Sequence, residues 1–408
     1  MPCGPYLEGA GLDLERFESR PGRQSLVARI DGTQRDAPAL CLMGHTDVVP
    51  ANANEWKEDP FSGALIGDEI WGRGAIDMLN STATMAVAMK ELGRSRFRPK
   101  GSLIYLAVAD EEAGGDWGTR WLVEKHWDAV AAAYVLTESG GFSRLNGGRR
   151  RVIMHVAEKG MSWQRLVVKG VGGHGSMPFG VRNALVLASE VIQRLSRYSP
   201  QPRLIDLWYE ALDGLDLPAS TRAALSDATT VRNTLESLPA ALARRCHALT
   251  HDTISPNVVH GGQKVNVIPD EVVLEVDIRT LPGTTRQEVD ANLLDAVGDL
   301  AKYVDIYPMV HREATRSRID NPLWASLQKQ ARVAYPNCEL SPALMTGGSD
   351  GRHFREKGAV AIGAALYSPQ ITPEVFTSRL HGEDERIDLE SLSLSLDLWI
   401  GVAQDLLS

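Results

Sequence analysis

Five short stretches of the 408-residue sequence gather side chains able to hold a cation or move a proton. They are Gly44-His45-Thr46-Asp47, Gly72-Arg73-Gly74-Ala75-Ile76-Asp77, Asp110-Glu111-Glu112, Thr137-Glu138-Ser139-Gly140-Gly141 and Leu380-His381-Gly382-Glu383-Asp384-Glu385. Singly, each is ordinary: a His-x-Asp pair usually makes a surface hydrogen bond, and two adjacent glutamates in a loop are usually solvated. Repetition changes the reading. Two histidines with three or more carboxylates suit borderline dications such as zinc, cobalt or manganese. No thiolate joins them, which favours a catalytic over a structural metal site. The four cysteines, Cys3, Cys41, Cys246 and Cys338, lie far apart and read as reduced, mostly buried thiols.

The clusters fall where elements end. Ala39–Met43, Leu103–Val108 and Ala131–Leu136 are apolar runs of strand length, each leading into one of the acidic or histidine clusters. Helical composition follows over Ser81–Leu92 and begins again at Trp121–His126. Alternating strands and helices predict an α/β fold, a mostly parallel sheet flanked by helices. In such sheets ligands bind beyond the carboxyl ends of strands, so the clusters could share one crevice.

Around Lys159 the pattern changes. Trp163–Lys169 and Val272–Arg279 alternate apolar and polar residues, as half-exposed strands do. Helical runs lie over Asn183–Leu195 and Thr284–Lys302, with a polar, helix-rich stretch over Ser199–Ala243. Residues 159–316 therefore read as an inserted α+β domain, and α/β character returns from Pro322. Arg149-Arg150-Arg151 reads as a solvated turn.

Composition sets the outer limits. Charged residues are 23% and hydrophobic ones 43%, which excludes a disordered, collagen-like or disulfide-stapled chain. A net charge of −9 gives no reason to expect nucleic acid or an anionic membrane as partner. No apolar run approaches the roughly 18–20 residues that span a bilayer. The N-terminus shows no basic start followed by an apolar stretch, so no signal peptide is read and the expected compartment is the cytoplasm.

Met43-Gly44-His45-Thr46-Asp47-Val48-Val49-Pro50, Gly72-Arg73-Gly74-Ala75-Ile76-Asp77-Met78 and Asp110-Glu111-Glu112 together resemble the dinuclear zinc amidohydrolases. That family includes the aminoacylases, acetylornithine deacetylase, succinyl-diaminopimelate desuccinylase and carboxypeptidase G. The resemblance covers nearly the whole chain, with the motifs in order. It implies a zinc exopeptidase-like catalytic domain holding two divalent metal ions, zinc foremost, with cobalt or manganese as alternatives. It assigns His45 and Glu138 to one metal and Glu112 and His381 to the other, bridged by Asp77, with a cis peptide bond after Asp77. Asp47 would orient His45 by accepting its distal N–H. Glu111 would be the general base toward a water activated between the metals. Since His381 would complete a site begun at His45, residues 1–158 and 317–408 would form one discontinuous domain. Residues 159–316 would then be its lid and dimerisation domain.

The same resemblance extends to the lid. His174, in Gly172-Gly173-His174-Gly175-Ser176-Met177-Pro178, would stabilise the oxyanion and, in dimers, reach the neighbouring subunit's site. Asn266 and Arg279 would contact substrate. Gly347, Gly348 and Arg352 lie in a glycine-rich loop whose arginine would grip a free carboxylate, a role that suits a planar guanidinium. The expected substrate is thus an N-acyl amino acid or a small peptide cleaved at its C-terminal bond, and the expected assembly a homodimer through the lid. A dipeptidase, an aminopeptidase, an ester or carbamoyl hydrolase, and a catalytically silent binding relative are the alternatives. Two departures stand out. The lysine and glycine common after the bridging Asp are missing, and the chain starts at a helix end and strand, Pro5–Glu18, where the family usually begins with a longer helix.

Overall fold

Apolar runs without polar alternation belong in a sheet covered on both faces. In the computed structural model, which describes residues 3–408, the strands Leu40–His45 and Leu103–Val108 are buried along their whole length. Met1 and Pro2, part of the N-terminal reading, lie outside the described residues. With Tyr134–Thr137 and Val360–Gly363 these strands form the parallel centre of a ten-stranded sheet. Successive side chains go to opposite faces. Leu40, Leu42, Leu103 and Tyr105 join a core with the helices Leu79–Arg94, Pro322–Ala334 and Leu389–Leu407. Cys41, Met43, Ile104 and Leu106 pack on the other side against Leu122, Val123 and Phe354.

The sheet is mixed, so the mostly parallel expectation holds only for its centre. Asp13–Glu18, Gln24–Ile30 and Leu103–Val108 pair antiparallel on one flank. On the other, Arg149–Glu158 pairs antiparallel with Gly140–Asn146 and Thr315–Arg316, and parallel with Glu339–Met345. Antiparallel neighbours need only a tight turn, which Gly147-Gly148 supplies, whereas parallel ones need a crossover. The three arginines expected in a turn therefore begin a strand, with Arg151 paired to Asp213 at 2.7 Å.

A second sheet carries the alternating strands. Its order is Thr253–Gly261, Glu271–Thr280, Gly160–Lys169, Val304–Arg312, all antiparallel. The helices Ala184–Arg197 and Arg286–Val297 cover one face through Ala188, Val191, Leu195, Val289 and Leu293. The opposite face is open. The helices between Asp206 and Thr250 do not join this core. Trp208, Leu212, Leu225, Leu235 and Leu249 pack instead into the core of the first sheet, beside Leu344. An amphipathic pattern shows that a helix has a buried face, not which sheet buries it.

Candidate dinuclear metal and catalytic site

The strand Leu40–His45 delivers His45 at its carboxyl end with the side chain 1% exposed. Its predecessor Gly44 lies against Thr82, where a β-carbon would collide with Thr82 Oγ1. That hydroxyl donates to the His45 carbonyl at 2.7 Å, fixing the strand end to the helix Leu79–Arg94. His45 Nδ1 lies 2.9 Å from the Asp47 carbonyl oxygen. A carbonyl only accepts, so Nδ1 carries a hydrogen, and in the neutral ring it is Nε2 that presents a lone pair. Nε2 faces Asp77 Oδ1 at 3.2 Å and Glu138 Oε2 at 3.9 Å.

Asp77 turns its other oxygen to a second histidine. Oδ2 is 3.1 Å from His381 Nε2, which stands 3.5 Å from Glu112 Oε1. The peptide bond after Asp77 is cis. In each triplet, His45–Asp77–Glu138 and Asp77–Glu112–His381, one atom per residue lies within 4.8 Å of the others. Glu112 Oε1 is buried, and its contact with His381 Nε2 lies at the long limit of a hydrogen bond. A buried carboxylate oxygen so weakly partnered is costly, and a dication is the partner this donor set fits. One imidazole nitrogen with carboxylate oxygens per triplet is the ligand chemistry of zinc and its neighbours.

The electrostatics point the same way. Burial disfavours charge on His45, yet the bond to Asp77 and the nearby Glu138 and Glu111 raise its pKa well above the usual histidine range. Burial, then Glu111 and Asp77, push the Glu138 carboxyl well up. Asp77 is driven the other way: burial would raise it, but both imidazoles hold it below the usual range. Hydrogen bonds to Asp77 and Glu112 lift His381 to about 10. Crowded carboxylates in a desolvated pocket thus raise His45, Glu138 and His381, and bound cations would neutralise that negative charge.

Asp47 departs from its expected role. Its carboxylate is 3.8 Å from the His45 ring and accepts instead the backbone N–H groups of Glu111 at 3.2 Å and Glu112 at 3.1 Å. Asp110 adopts a left-handed φ of 78°, and the two following N–H groups converge on one anion. Two such donors outcompete one ring N–H, so the carbonyl of Asp47, not its side chain, holds the imidazole. Glu111 belongs to neither triplet. Burial and then the Asp350 carboxylate raise its pKa well above the ordinary range, a direction that suits a proton acceptor.

Two supporting residues escaped the sequence reading. Glu385, 1% exposed, accepts from Ile76 N at 2.7 Å, Asp77 N at 3.1 Å and Gly74 N at 3.0 Å, and pairs with Arg73 at 2.8 Å. One carboxylate thus shapes the loop that carries Asp77. Asp350 accepts from Thr119 Oγ1 at 2.7 Å and backs Gly115, whose φ of +71° and lack of a side chain permit the close approach. Glu385 follows His381 in the C-terminal cluster and Asp350 lies in the glycine-rich loop, but nothing local marks such long-range partners.

Arg352 is a correction. It is 3% exposed, with Nε 3.4 Å from Glu158 and Nη2 3.4 Å from the Lys159 carbonyl. Glu158 is fully buried and also binds Arg355 at 3.1 Å, so a paired, buried guanidinium replaces the expected carboxylate grip. Gly347 and Gly348 are exposed beside it. Arg279 lies on the open face of the second sheet, 2.8 Å from Asp277. His174 and Asn266 come together on an exposed turn of the inserted segment, where Gly175 N donates to the Asn266 carbonyl at 2.8 Å. His174 Nδ1 accepts from Ser176 N at 3.2 Å, which leaves Nε2 as the ring donor. Among the described residues no hydrogen bond or ion pair joins His174 to either triplet.

Known proteins share this arrangement's fold. The model of peptidase family M20/M25/M40 matches residues 41–405. A probable carboxypeptidase S-like protein of Dictyostelium discoideum is 26% identical over 92% of this chain and 73% of its own length. An N-fatty-acyl-amino acid synthase/hydrolase of Xenopus tropicalis is 26% identical over 94% and 75%. The crystal structure of an M20 family metallo-carboxypeptidase from Sulfolobus solfataricus superposes with a TM-score of 0.71 at 20% identity, covering 99% of this chain and 93% of that one.

Proposed function

The chain belongs to peptidase family M20/M25/M40, hydrolases of amide or peptide bonds, and from that premise we propose the reaction. It releases a free amino acid from an N-acyl amino acid, or from the C-terminal end of a small peptide, with two divalent ions, zinc foremost. The observation that carries this reading is the pair of ligand triplets, His45–Asp77–Glu138 and Asp77–Glu112–His381, sharing Asp77.

His45, Asp77 and Glu138 would hold one ion, and Asp77, Glu112 and His381 the other. Such ions, when bound, polarise a carbonyl and lower the pKa of water toward neutrality. Glu111 accepts the proton of the attacking water and returns it to the departing nitrogen. Asp47 keeps Glu111 in place through the two backbone N–H groups it accepts. With Arg352 committed to Glu158, recognition of the substrate carboxylate falls to Arg279 and to the backbone of Gly347 and Gly348. His174 and Asn266 would serve the tetrahedral oxygen from a second copy of the chain, paired through the lid. That partnership is supported by the exposed edge strand Thr253–Gly261 and by Val186, Val259 and Val265, at 64%, 53% and 101% exposure. The cysteines, all free, suit a reducing compartment such as the cytoplasm. Among the described residues no helix is long and apolar enough to cross a membrane.

The test is a hydrolysis panel of N-acyl amino acids, dipeptides and esters, with zinc, cobalt or manganese added and then chelated. Chelator-sensitive release of free amino acid is expected, and Glu111→Gln should lower kcat by about three orders of magnitude or more while keeping its metal. A metal-loaded protein that hydrolyses none of the amides contradicts the proposal.

A further inference from the structure

The chain crosses between the ten-stranded and the four-stranded sheet at Glu158–Gly160 and at Arg312–Thr315, and these crossings lie together. Thr315 pairs with Glu158, and Met161 pairs with Arg312. Each crossing reaches one loop of the catalytic region. Glu158 accepts from Ser349 N at 2.6 Å and so holds the glycine loop, a contact buried throughout. Arg312 reaches the other loop. Its Nη1 donates to the Gly114 carbonyl at 2.9 Å and its Nη2 to Asp116 Oδ1 at 2.7 Å. Gly114 caps the single 3-10 turn Glu111–Ala113, which carries the proposed base and one metal ligand.

On the far side of that turn Asp350 backs Gly115, Arg23 pairs with Asp110 at 2.7 Å and Ser19 Oγ donates to the Trp117 carbonyl, while Arg312 reaches it from the second sheet. The 3-10 segment is one turn long and ends in two residues of left-handed φ, Gly114 at 102° and Gly115 at 71°. Asp47 binds its first N–H groups, and its exit is held by Asp110 and by the guanidinium. The Arg312 side chain is 18% exposed and that of Asp116 47%, and Asp116 also pairs with Arg120 at 3.1 Å. A two-point contact of a planar guanidinium with a carbonyl and a carboxylate fixes direction as well as distance.

We propose that Arg312 is a positioning residue for the Glu111–Glu112 turn, transmitting the seating of the lid sheet to the base. The reaction it serves is that of the proposed function, but the contact can be read without turnover. The variant is Arg312→Ala, with Arg312→Lys as the conservative partner, since lysine keeps the charge but not the two-pronged geometry. Hydrogen exchange of the full-length, metal-loaded protein should show amides of residues 111–117 exchanging about tenfold or more faster in Arg312→Ala, with the central strands unchanged. On a substrate found by the panel, kcat should fall about 10–100-fold with KM within about threefold, and Arg312→Lys should recover part of the loss. Metal content should stay at the wild-type level.

Unchanged exchange in residues 111–117 overturns the proposal. So does faster exchange spread over the whole first sheet with a matching fall in melting temperature, which marks a general stability role. A wild-type protein that turns over no amide refutes the proposed function, and the local exchange result then decides the positioning claim by itself.

Discussion

The two triplets that share Asp77 are built from the same ligand types but in different surroundings. In the inner one, His45 is 1% exposed and Glu138 10%, and both sit at the ends of central strands. In the outer one, Glu112 is 13% exposed and His381 49%, on a short turn and on a loop where His381 takes a left-handed φ of 57°. The inner position is therefore set by the sheet, and the outer by local contacts, of Asp47 with the Glu112 backbone and of Arg73 with the His381 carbonyl. Preorganised, desolvated ligands bind more tightly and exchange more slowly than ligands on loops. An inner ion should resist a chelator that removes the outer one.

Removing the shared ligand breaks the comparison entirely. Asp77→Asn should lose about three orders of magnitude or more in kcat and much of its binding at both positions, measured by elemental analysis after dialysis. A variant still holding two ions would show that Asp77 does not bridge.

Glu385→Gln tests the support of the shared loop without touching a ligand. It keeps one acceptor oxygen for the backbone N–H groups but loses the charge paired with Arg73, a buried pair whose breaking costs about 3–5 kcal/mol. Metal affinity should fall about 10–100-fold at both positions, read by competition with a chromogenic chelator. An effect confined to one position would assign the loop to that triplet alone.

The smallest effect concerns the wall behind the inner triplet. His155 Nδ1 donates to the carbonyl of Ser139, the residue after Glu138. Burial holds its pKa down to about 4, below the unfolded value near 6.5. The unfolded chain therefore binds more protons between those values. Stability should be complete above about pH 6.5 and decline by on the order of 3 kcal/mol toward pH 4. His155→Gln should flatten that part of a denaturant-midpoint profile, and an unaltered slope would remove His155 as its cause.

What the sequence made legible follows the same division. Strand-end ligands could be read because an apolar run and the polar cluster that stops it are neighbours in the chain, as at Leu42–Asp47. Asp77, Glu112 and His381 needed the order of several motifs together. Roles set by distant partners stayed hidden: Glu385 acts on a loop some three hundred residues earlier, and Arg352 is committed to Glu158. Asp47 shows a finer limit. Strand periodicity places it beside His45, but only the turn at Asp110 decides whether the carbonyl or the carboxylate meets the ring. The helices between Asp206 and Thr250 could be recognised as helices, while their packing on the first sheet depended on contacts no local pattern encodes.

The most direct test is the zinc stoichiometry of three proteins after equilibrium dialysis: wild type, His381→Ala and His45→Ala. Two ions per wild-type chain are predicted, with one tightly held ion left in His381→Ala and weakened inner binding in His45→Ala. One ion or none in the wild type, or two tightly held ions in His381→Ala, would contradict the paired site built on Asp77.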